Sequence, residues 1–341
     1  MAHPGRRSLA LTMALSPVWR AIIVVLLSTT VGAQYGPCTT HYPPTKDEAG
    51  NDVYTVVDLA YDLNACTMVD MIDRAGLRSF YSQKGPLTLF APYDLAFEFL
   101  PDDIYNKLMS NKTYLQELLL FHTFPGVIGD VNDIYQDELL PSIIPGKNIR
   151  LNIYQLKSGS NNTQQVTGRI TACGGPIIDG GNCSNGEVRV ISNVMHPIPP
   201  GSIVDVIDHD PEFTRLKKLV YAAKLDEYLK GGPFTFFPPT NAAFDKVPPD
   251  VLKEFEDNTT LTRDLLTYHL LDWTLYASGS YEGETLVTVQ GGNINLTVWY
   301  DALWVNGHEN ARVIYQDYNV YNGVMHIIDN VLIPPLVLKK N

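Results

Sequence analysis

A chain of 341 residues, 45% hydrophobic and 18% charged, is long enough for two domains and too apolar to be disordered. Its formal net charge of −12 excludes nucleic acid and anionic membranes as natural partners, because such a surface repels phosphate. Basic partners and divalent cations are the ones it favours.

In chain order, residues 1–33 have the pattern of a secretory signal peptide. Arg6 and Arg7 precede an apolar run from Ala21 to Leu27, and Val31-Gly32-Ala33 supplies the small residues for cleavage before Gln34. The run is shorter than the roughly 20 residues a spanning helix needs, so no membrane span is expected in the mature chain. Loss of the three arginines of this segment takes the net charge to about −15.

Cys38, Cys66, Cys173 and Cys183 then fit an oxidising compartment, with three pairings open. The four glycines of CGGPIIDGGNC allow a short loop to bend back, which favours Cys173–Cys183 and leaves Cys38–Cys66. Metal ligation has the wrong spacing and no adjacent His. Five Asn-x-Ser/Thr sequons, at Asn111, Asn161, Asn182, Asn258 and Asn295, predict a glycoprotein, with Cys183 inside the Asn182 sequon making that one doubtful.

The chain writes one pattern twice. GPLTLFAPYDLAFEFLP (85–101) and GPFTFFPPTNAAFDKVP (232–248) share eight of seventeen positions at an offset of 147. LLLFHTF around His122 matches LLTYHLL around His269 at the same offset, and NGEVRVISNVM from Asn185 matches NGVMHIIDNVL from Asn322 at 137. A period near 140 means two domains rather than a solenoid. The ten extra residues of the first copy fall between its second and third landmarks, and the Cys-bounded loop is the expected place for them. The expected division is a signal peptide at 1–33, a tail at 34–49, domain 1 at 50–197, a Pro-rich linker at 198–202, domain 2 at 203–336 and a tail at 337–341.

Within each copy, Leu87–Phe90 and Phe234–Phe237 predict strands ended by Pro92 and Pro239. Asp94, Thr240 and Asn241 are candidate helix caps, and Phe97 and Phe244 candidate core anchors. Helices are predicted at Tyr114–Phe121 and Leu261–Leu271. Strands come next at Ile149–Tyr154 and Val188–Val194, and at Asn293–Trp299 and Met325–Leu332. Helices first and strands later is an α+β organisation.

The repeated strings resemble the signatures of the fasciclin (FAS1) family. GPLTLFAPYDLAF and GPFTFFPPTNAAF are similar to its first signature, Asn322 to Leu332 with Pro334-Pro335 to its second, and Tyr268-His269 to the Tyr-His motif between them. The resemblance spans roughly residues 50 to 336. It implies two tandem FAS1 domains, each a seven-stranded β-sandwich wedge with helices packed over one edge. It also implies an adhesive role for Tyr268, His269 and Leu270 toward integrin-like receptors. Asp317-Tyr318 stands where some animal members carry an adhesive Asp-Ile pair, and an exposed Asp there could complete a receptor's divalent-metal site. The first copy departs from the pattern, with Phe121, Arg189 and Ser192 where the second has Tyr268, His326 and Asp329.

The chemistry points away from catalysis. No Gly-x-Ser-x-Gly, Walker loop, dinucleotide fingerprint or calcium-loop spacing occurs, and neither enzyme activity, a cofactor nor a resident metal is expected. A histidine amid LLLF or LLTY more often makes buried hydrogen bonds than contacts a receptor. Asp208-His209-Asp210 reads as a polar turn before Pro211. The expected function is that of a secreted extracellular-matrix or cell-adhesion protein binding matrix proteins, receptors or glycans. The alternatives are an acidic component of a calcified layer, meeting a mineral surface, and a non-catalytic auxiliary to a secreted oxidase.

Overall fold

Leu87–Pro92 is buried along its whole length because both its faces are covered. Leu87, Leu89 and Ala91 join a core made mostly by helices, while Phe90 joins a second core made by strands. This period-2 split places the strand at the centre of its domain. A computed structural model describes residues 45–46, 50, 52–83, 85–130, 134–158, 165–281, 283–299, 302–307 and 309–335. The expected signal peptide, Cys38 and Asn161 lie outside them.

The described residues of the first domain begin with a short ladder of β1 (Thr45–Lys46) and β2 (Asp52–Val53). Helices α1 (Val56–Asp62), α2 (Cys66–Ala75) and α3 (Arg78–Tyr81) come after it, then β3 (Leu87–Pro92). Next are α4 (Asp94–Glu98), α5 (Asp102–Ser110) and α6 (Lys112–Phe121). Strands β4 (Thr123–Phe124), β5 (Glu138–Pro141), β6 (Asn148–Ser158), β7 (Gln165–Ala172), β8 (Gly175–Cys183) and β9 (Gly186–Ile191) complete it. The chain divides after Ile198.

The second domain repeats the plan. Helices α7 (Ile203–His209) and α8 (Thr214–Ala222) precede β10 (Phe234–Phe236), and α9 (Asn241–Asp245), α10 (Pro249–Asp257) and α11 (Thr259–Tyr268) succeed it. Then come β11 (Leu270–Leu271), β12 (Thr285–Val287), β13 (Asn293–Trp299), β14 (Ala302–Val305), β15 (Ala311–Val320) and β16 (Gly323–Ile328).

Each domain holds one seven-stranded sheet, ordered β4-β3-β9-β8-β7-β6-β5 and β11-β10-β16-β15-β14-β13-β12. The first strand of each domain's sheet pairs parallel with the last, β3 with β9 and β10 with β16, and the other pairs are antiparallel. The sheets curl until their edges meet: Ile143 N–H, just past β5, donates to Thr123 O of β4 at 2.9 Å, and Val289 N–H, just past β12, donates to Leu270 O of β11 at 2.8 Å. The architecture is the expected α+β wedge in tandem.

The caps explain where the helices start. Thr55 with Asp58, and Ser202 with Asp205, form matching capping boxes on α1 and α7. Thr240 caps α9 through Ala243 N–H, as expected. Asp94 and Asn241 do something else: each lies one residue inside its helix and accepts from an earlier helix, Thr67 N–H at 2.7 Å and Arg215 N–H at 3.0 Å. Phe97 and Phe244 are core residues, 3% and 1% exposed.

Several expectations need correction. The ten extra residues do not sit in the Cys-bounded stretch. They lengthen the β6–β7 hairpin, which pairs eight times from Leu151–Ala172 to Ser158–Gln165, where β13–β14 pairs four times. Cys173 and Cys183 are free thiols, so the expected bridge between them is absent. Gly175, Gly180 and Gly181 are used for strand pairing, and the nine-residue β8 separates Cys173, in the turn before it, from Cys183 at its end. At about 3.3 Å per residue that is on the order of 25 Å, far beyond what a disulfide spans. Cys66 is disulfide-bonded. The helix expected to run to Leu271 ends at Tyr268, because Leu270 and Leu271 pair with β10. The strands expected to reach Val194 and Leu332 end at Ile191 and Ile328, where the chain leaves the sheet.

Candidate functional site

The histidines of the two copies superpose in role. His122 is the residue that caps the end of α6 and His269 the one that caps α11, and in each the ring turns inward to bond backbone on both sides. Met195 N–H donates to His122 Nε2 at 2.9 Å, and Leu332 N–H donates to His269 Nε2 at 2.9 Å. Nε2 therefore carries no proton, and the proton on Nδ1 is donated to Leu118 O or Leu265 O at 2.8 Å. Each ring rivets the end of a helix to the segment beyond the last strand. Burial lowers both pKa values to about 4, so both rings are neutral at neutral pH.

This arrangement uses up the Tyr-His motif internally. Tyr268, His269 and Leu270 are each 1% exposed. The Tyr268 hydroxyl donates to Asn293 O at 2.8 Å and receives Asn306 Nδ2 at 3.3 Å, while Leu270 pairs within the sheet. A receptor could reach these side chains only after local opening. The adhesive face expected of them is not presented by the folded domain.

The second signature is equally structural. Asn185 and Asn322 are buried junctions: their Oδ1 atoms accept from Val56 and Ile203 N–H at 2.9 Å, and their Nδ2 atoms donate to the carbonyls of Tyr81 and Gln83, and of Leu229 and Gly231. Gly186 and Gly323 come next with φ of +151° and +154°, and a Cβ there would lie 1.8 or 1.9 Å from the carbonyl oxygen of Leu87 or Phe234. No other residue fits. Asp329 receives Arg312 N–H at 2.9 Å and Lys246 Nζ at 3.2 Å, tying α9 to the end of β16.

Asp317 and His326 form a polar corner on β15 and β16. Asp317 has φ of +58° and lies inside the second of two register slips in the pairing of these strands, the one between Tyr315 and Tyr318. Its N–H donates to His326 Nδ1 at 3.2 Å, its Oδ1 receives Ala277 N–H at 2.8 Å, and His326 Nε2–H donates to Leu275 O at 2.8 Å. The imidazole stacks on Phe237 with centroids 5.4 Å apart. Desolvation pushes the Asp317 carboxyl above its usual range, opposed by His326 and the Ala277 N–H. Even so, 29% of the Asp317 side chain stays accessible. The residue is first a strut for the 275–279 segment.

Beside this corner the register slips turn apolar side chains outward. Ile314, Tyr315 and Tyr321 are exposed by 52%, 57% and 58%, and Tyr318 is half-buried with its ring 5.8 Å from that of Tyr315. In the sequence Tyr315, Tyr318 and Tyr321 form a dense stretch of tyrosine. The outward turn of Ile314 is not visible there, because Val313-Ile314-Tyr315 reads as an ordinary strand core until a bulge breaks its alternation.

Other expected sites are surface features. Asn111 and Asn258 are helix caps, and Asn182 and Asn295 are exposed strand residues. The expected polar turn at 208–210 is instead the end of α7: Asp208, which receives the Tyr221 hydroxyl at 2.9 Å, and His209 are its last two residues, and Asp210 after them receives Glu212 N–H. Among the described residues no group of three or more His, Cys, Asp or Glu is placed to hold a metal, and no helix is long and apolar enough to cross a membrane.

With both domains built on the same buried asparagine, glycine and histidine, comparison with known proteins is direct. The model of the fasciclin domain matches residues 64–197 and again 211–334. The chain belongs to the fasciclin family. This fasciclin-family chain is 30% identical to human periostin over 275 residues, covering 80% of the chain and 31% of periostin. It is 28% identical to the pig transforming growth factor-beta-induced protein ig-h3 over 266 residues, covering 76% of the chain and 36% of that protein. The chain thus spans about a third of the length of these relatives. A solved FAS1 domain pair from the insect cell adhesion molecule Fasciclin I covers 79% of the chain at 18% identity, with a TM-score of 0.37 over 96% of that structure.

Proposed function

We propose that this protein is exported and acts by non-covalent contact in an extracellular matrix or at a cell surface, binding matrix proteins, integrin-like receptors or glycans and performing no chemistry. The observation that carries this reading is where the motif residues point. Tyr268, His269, Asn322, Gly323, His326 and Asp329 all serve internal bonds or close packing, so what remains for a partner is surface. The exposed Ile314, Tyr315 and Tyr321 of domain 2 supply rigid apolar and aromatic area of the kind that dominates protein contacts. Asp317, beside that patch, keeps part of its side chain accessible and could meet a receptor-held divalent ion. The signal-peptide pattern expected at 1–33 supports export.

The test is attachment of cells to a surface coated with the full mature chain. The parent should support attachment, and the double variant Ile314→Asp/Tyr315→Ser should lower it several-fold while fluorescence and circular dichroism stay unchanged. Equal attachment to both proteins, or none to the parent, sinks the reading.

A further inference from the structure

Two of the sequons are the same structural position written twice. Asn111 and Asn258 stand 147 residues apart, the offset that also relates the first signatures and the two histidines. Each is the exposed residue before a ten-residue helix, with matching extended backbone, φ −119° and ψ 101° against φ −127° and ψ 100°. In each the side-chain carbonyl is engaged: Asn111 Oδ1 receives Tyr114 N–H at 3.0 Å, and Asn258 Oδ1 receives Thr260 and Leu261 N–H at 3.0 and 3.2 Å. The side-chain nitrogen, Nδ2, has no partner among the described residues and faces solvent.

Capping accounts for the asparagine but not for the threonine two residues on. Thr113 and Thr260 are exposed on the first turn, and their hydroxyls make no hydrogen bond among the described residues. A helix does not need threonine there, and longer unbranched side chains serve better. The glycosylation machinery does need it. The two strand sequons differ: Asn182 pairs with Glu187 across the sheet and has Cys183 in its tripeptide, and Asn295 Oδ1 is bonded by Thr285 Oγ1 at 2.8 Å.

We propose that Asn111 and Asn258 are the principal N-glycosylation sites, one per domain at the same point of the fold, and that each glycosylated asparagine remains the cap of its helix. In the transfer, Nδ2 bonds to C1 of the first sugar of a lipid-diphosphate-linked oligosaccharide and loses a proton, and the C1–oxygen bond breaks with the lipid diphosphate leaving. Oδ1 is untouched, so the cap bonds to Tyr114, Thr260 and Leu261 survive. This inference rests on export, which the proposed function also needs, and not on adhesion.

The experiment expresses the full chain in a eukaryotic secretory host and maps glycopeptides before and after N-glycosidase treatment, which converts occupied Asn to Asp. Conversion is expected at 111 and 258 in most molecules and at 182 in few. Thr113→Val and Thr260→Val, which leave both caps in place, should each remove one glycan step on a gel without altering circular dichroism. Unmodified Asn111 or Asn258 in the secreted chain overturns the proposal. So does occupancy of Asn182 equal to theirs, mobility unchanged by the Thr→Val variants, or retention of an unglycosylated chain inside the cell. Loss of attachment with both glycans present would instead break the adhesive reading alone.

Discussion

The corner occupied by Asp317 and His326 in the second domain holds Arg189 and Glu187 in the first. Arg189 stands at the position of His326, and its Nη2 donates to Glu187 Oε2 and to Gly129 O, both at 2.7 Å. Glu187 is 1% exposed, and its Oε1 receives Thr88 Oγ1 at 2.9 Å and Ile128 N–H at 2.5 Å. In the second domain Val324 stands at the position of Glu187, and Thr235, the counterpart of Thr88, itself receives Leu275 N–H at 2.7 Å and donates to Trp273 O at 2.6 Å. Both corners do one job, pinning the segment beyond the short strand after the histidine. One does it with a buried ion pair, the other with a hydrogen-bonded ring and a half-buried acid. The task is fixed by the fold and the chemistry is free to vary.

Tryptophan makes this comparison measurable. In residues 34–341 the tryptophans, Trp273, Trp299 and Trp304, all belong to the second domain, so fluorescence of that part reports on the second domain while circular dichroism reports on both. The largest expected effect is at the shared glycines. Gly323→Ala forces a Cβ into the Phe234 carbonyl and should destabilise the second domain by more than about 4 kcal/mol, abolishing the native fluorescence. Gly186→Ala should spare the fluorescence and remove part of the circular dichroism. If Gly186→Ala also abolishes the native fluorescence, the domains do not fold independently.

Next comes the corner. Arg189→Ala strands Glu187 as a buried, unpaired charge and should cost about 3–5 kcal/mol in denaturant titrations followed by circular dichroism, with the fluorescence midpoint unmoved. His326→Ala removes two hydrogen bonds and ring stacking and should cost about 2–3 kcal/mol in the fluorescence transition. A larger loss for His326→Ala would reverse the ranking of the two devices.

Acid should then act on both domains alike. The folded pKa of His122 and of His269 is about 4, below the unfolded value of 6.5, so the unfolded chain binds more protons between these values. Their contribution is complete above pH 6.5 and is lost as pH falls toward 4, up to about 3 kcal/mol in each domain. The midpoints of the fluorescence and circular dichroism transitions should fall together over that window. A fall in only one signal would show that the matching geometry hides unequal energetics. The smallest effect on stability is at the exposed patch, where Ile314→Asp should change the fluorescence midpoint by less than about 0.5 kcal/mol.

The sequence revealed most of what is periodic and local. The repeat offset, the strand at Leu87–Phe90 and its twin, and the anchors Phe97 and Phe244 come from patterns within a few residues. What it hid depends on pairing between distant segments. The glycines at 175, 180 and 181 suit a bent loop and an extended strand equally, and only alignment with β7 and β9 decides for the strand. The ends at Tyr268, Ile191 and Ile328 are set by which strand the next residues meet. The candidate site was half legible: a histidine in an apolar run announces a buried bond, yet its partner, the Leu332 N–H, is sixty-three residues away. The outward turn of Ile314 comes from a register slip that no local pattern records.

The meeting of sheet edges through Ile143 and Val289 has a consequence for chains that carry such units in series. An open sheet offers its outermost backbone to any neighbour, and crowding several along one polypeptide would invite lateral zippering and fibres. Here the outermost strands are already engaged with each other. Copies can therefore be threaded side by side at high local concentration without sticking through their main chains, leaving side chains to decide what each one touches.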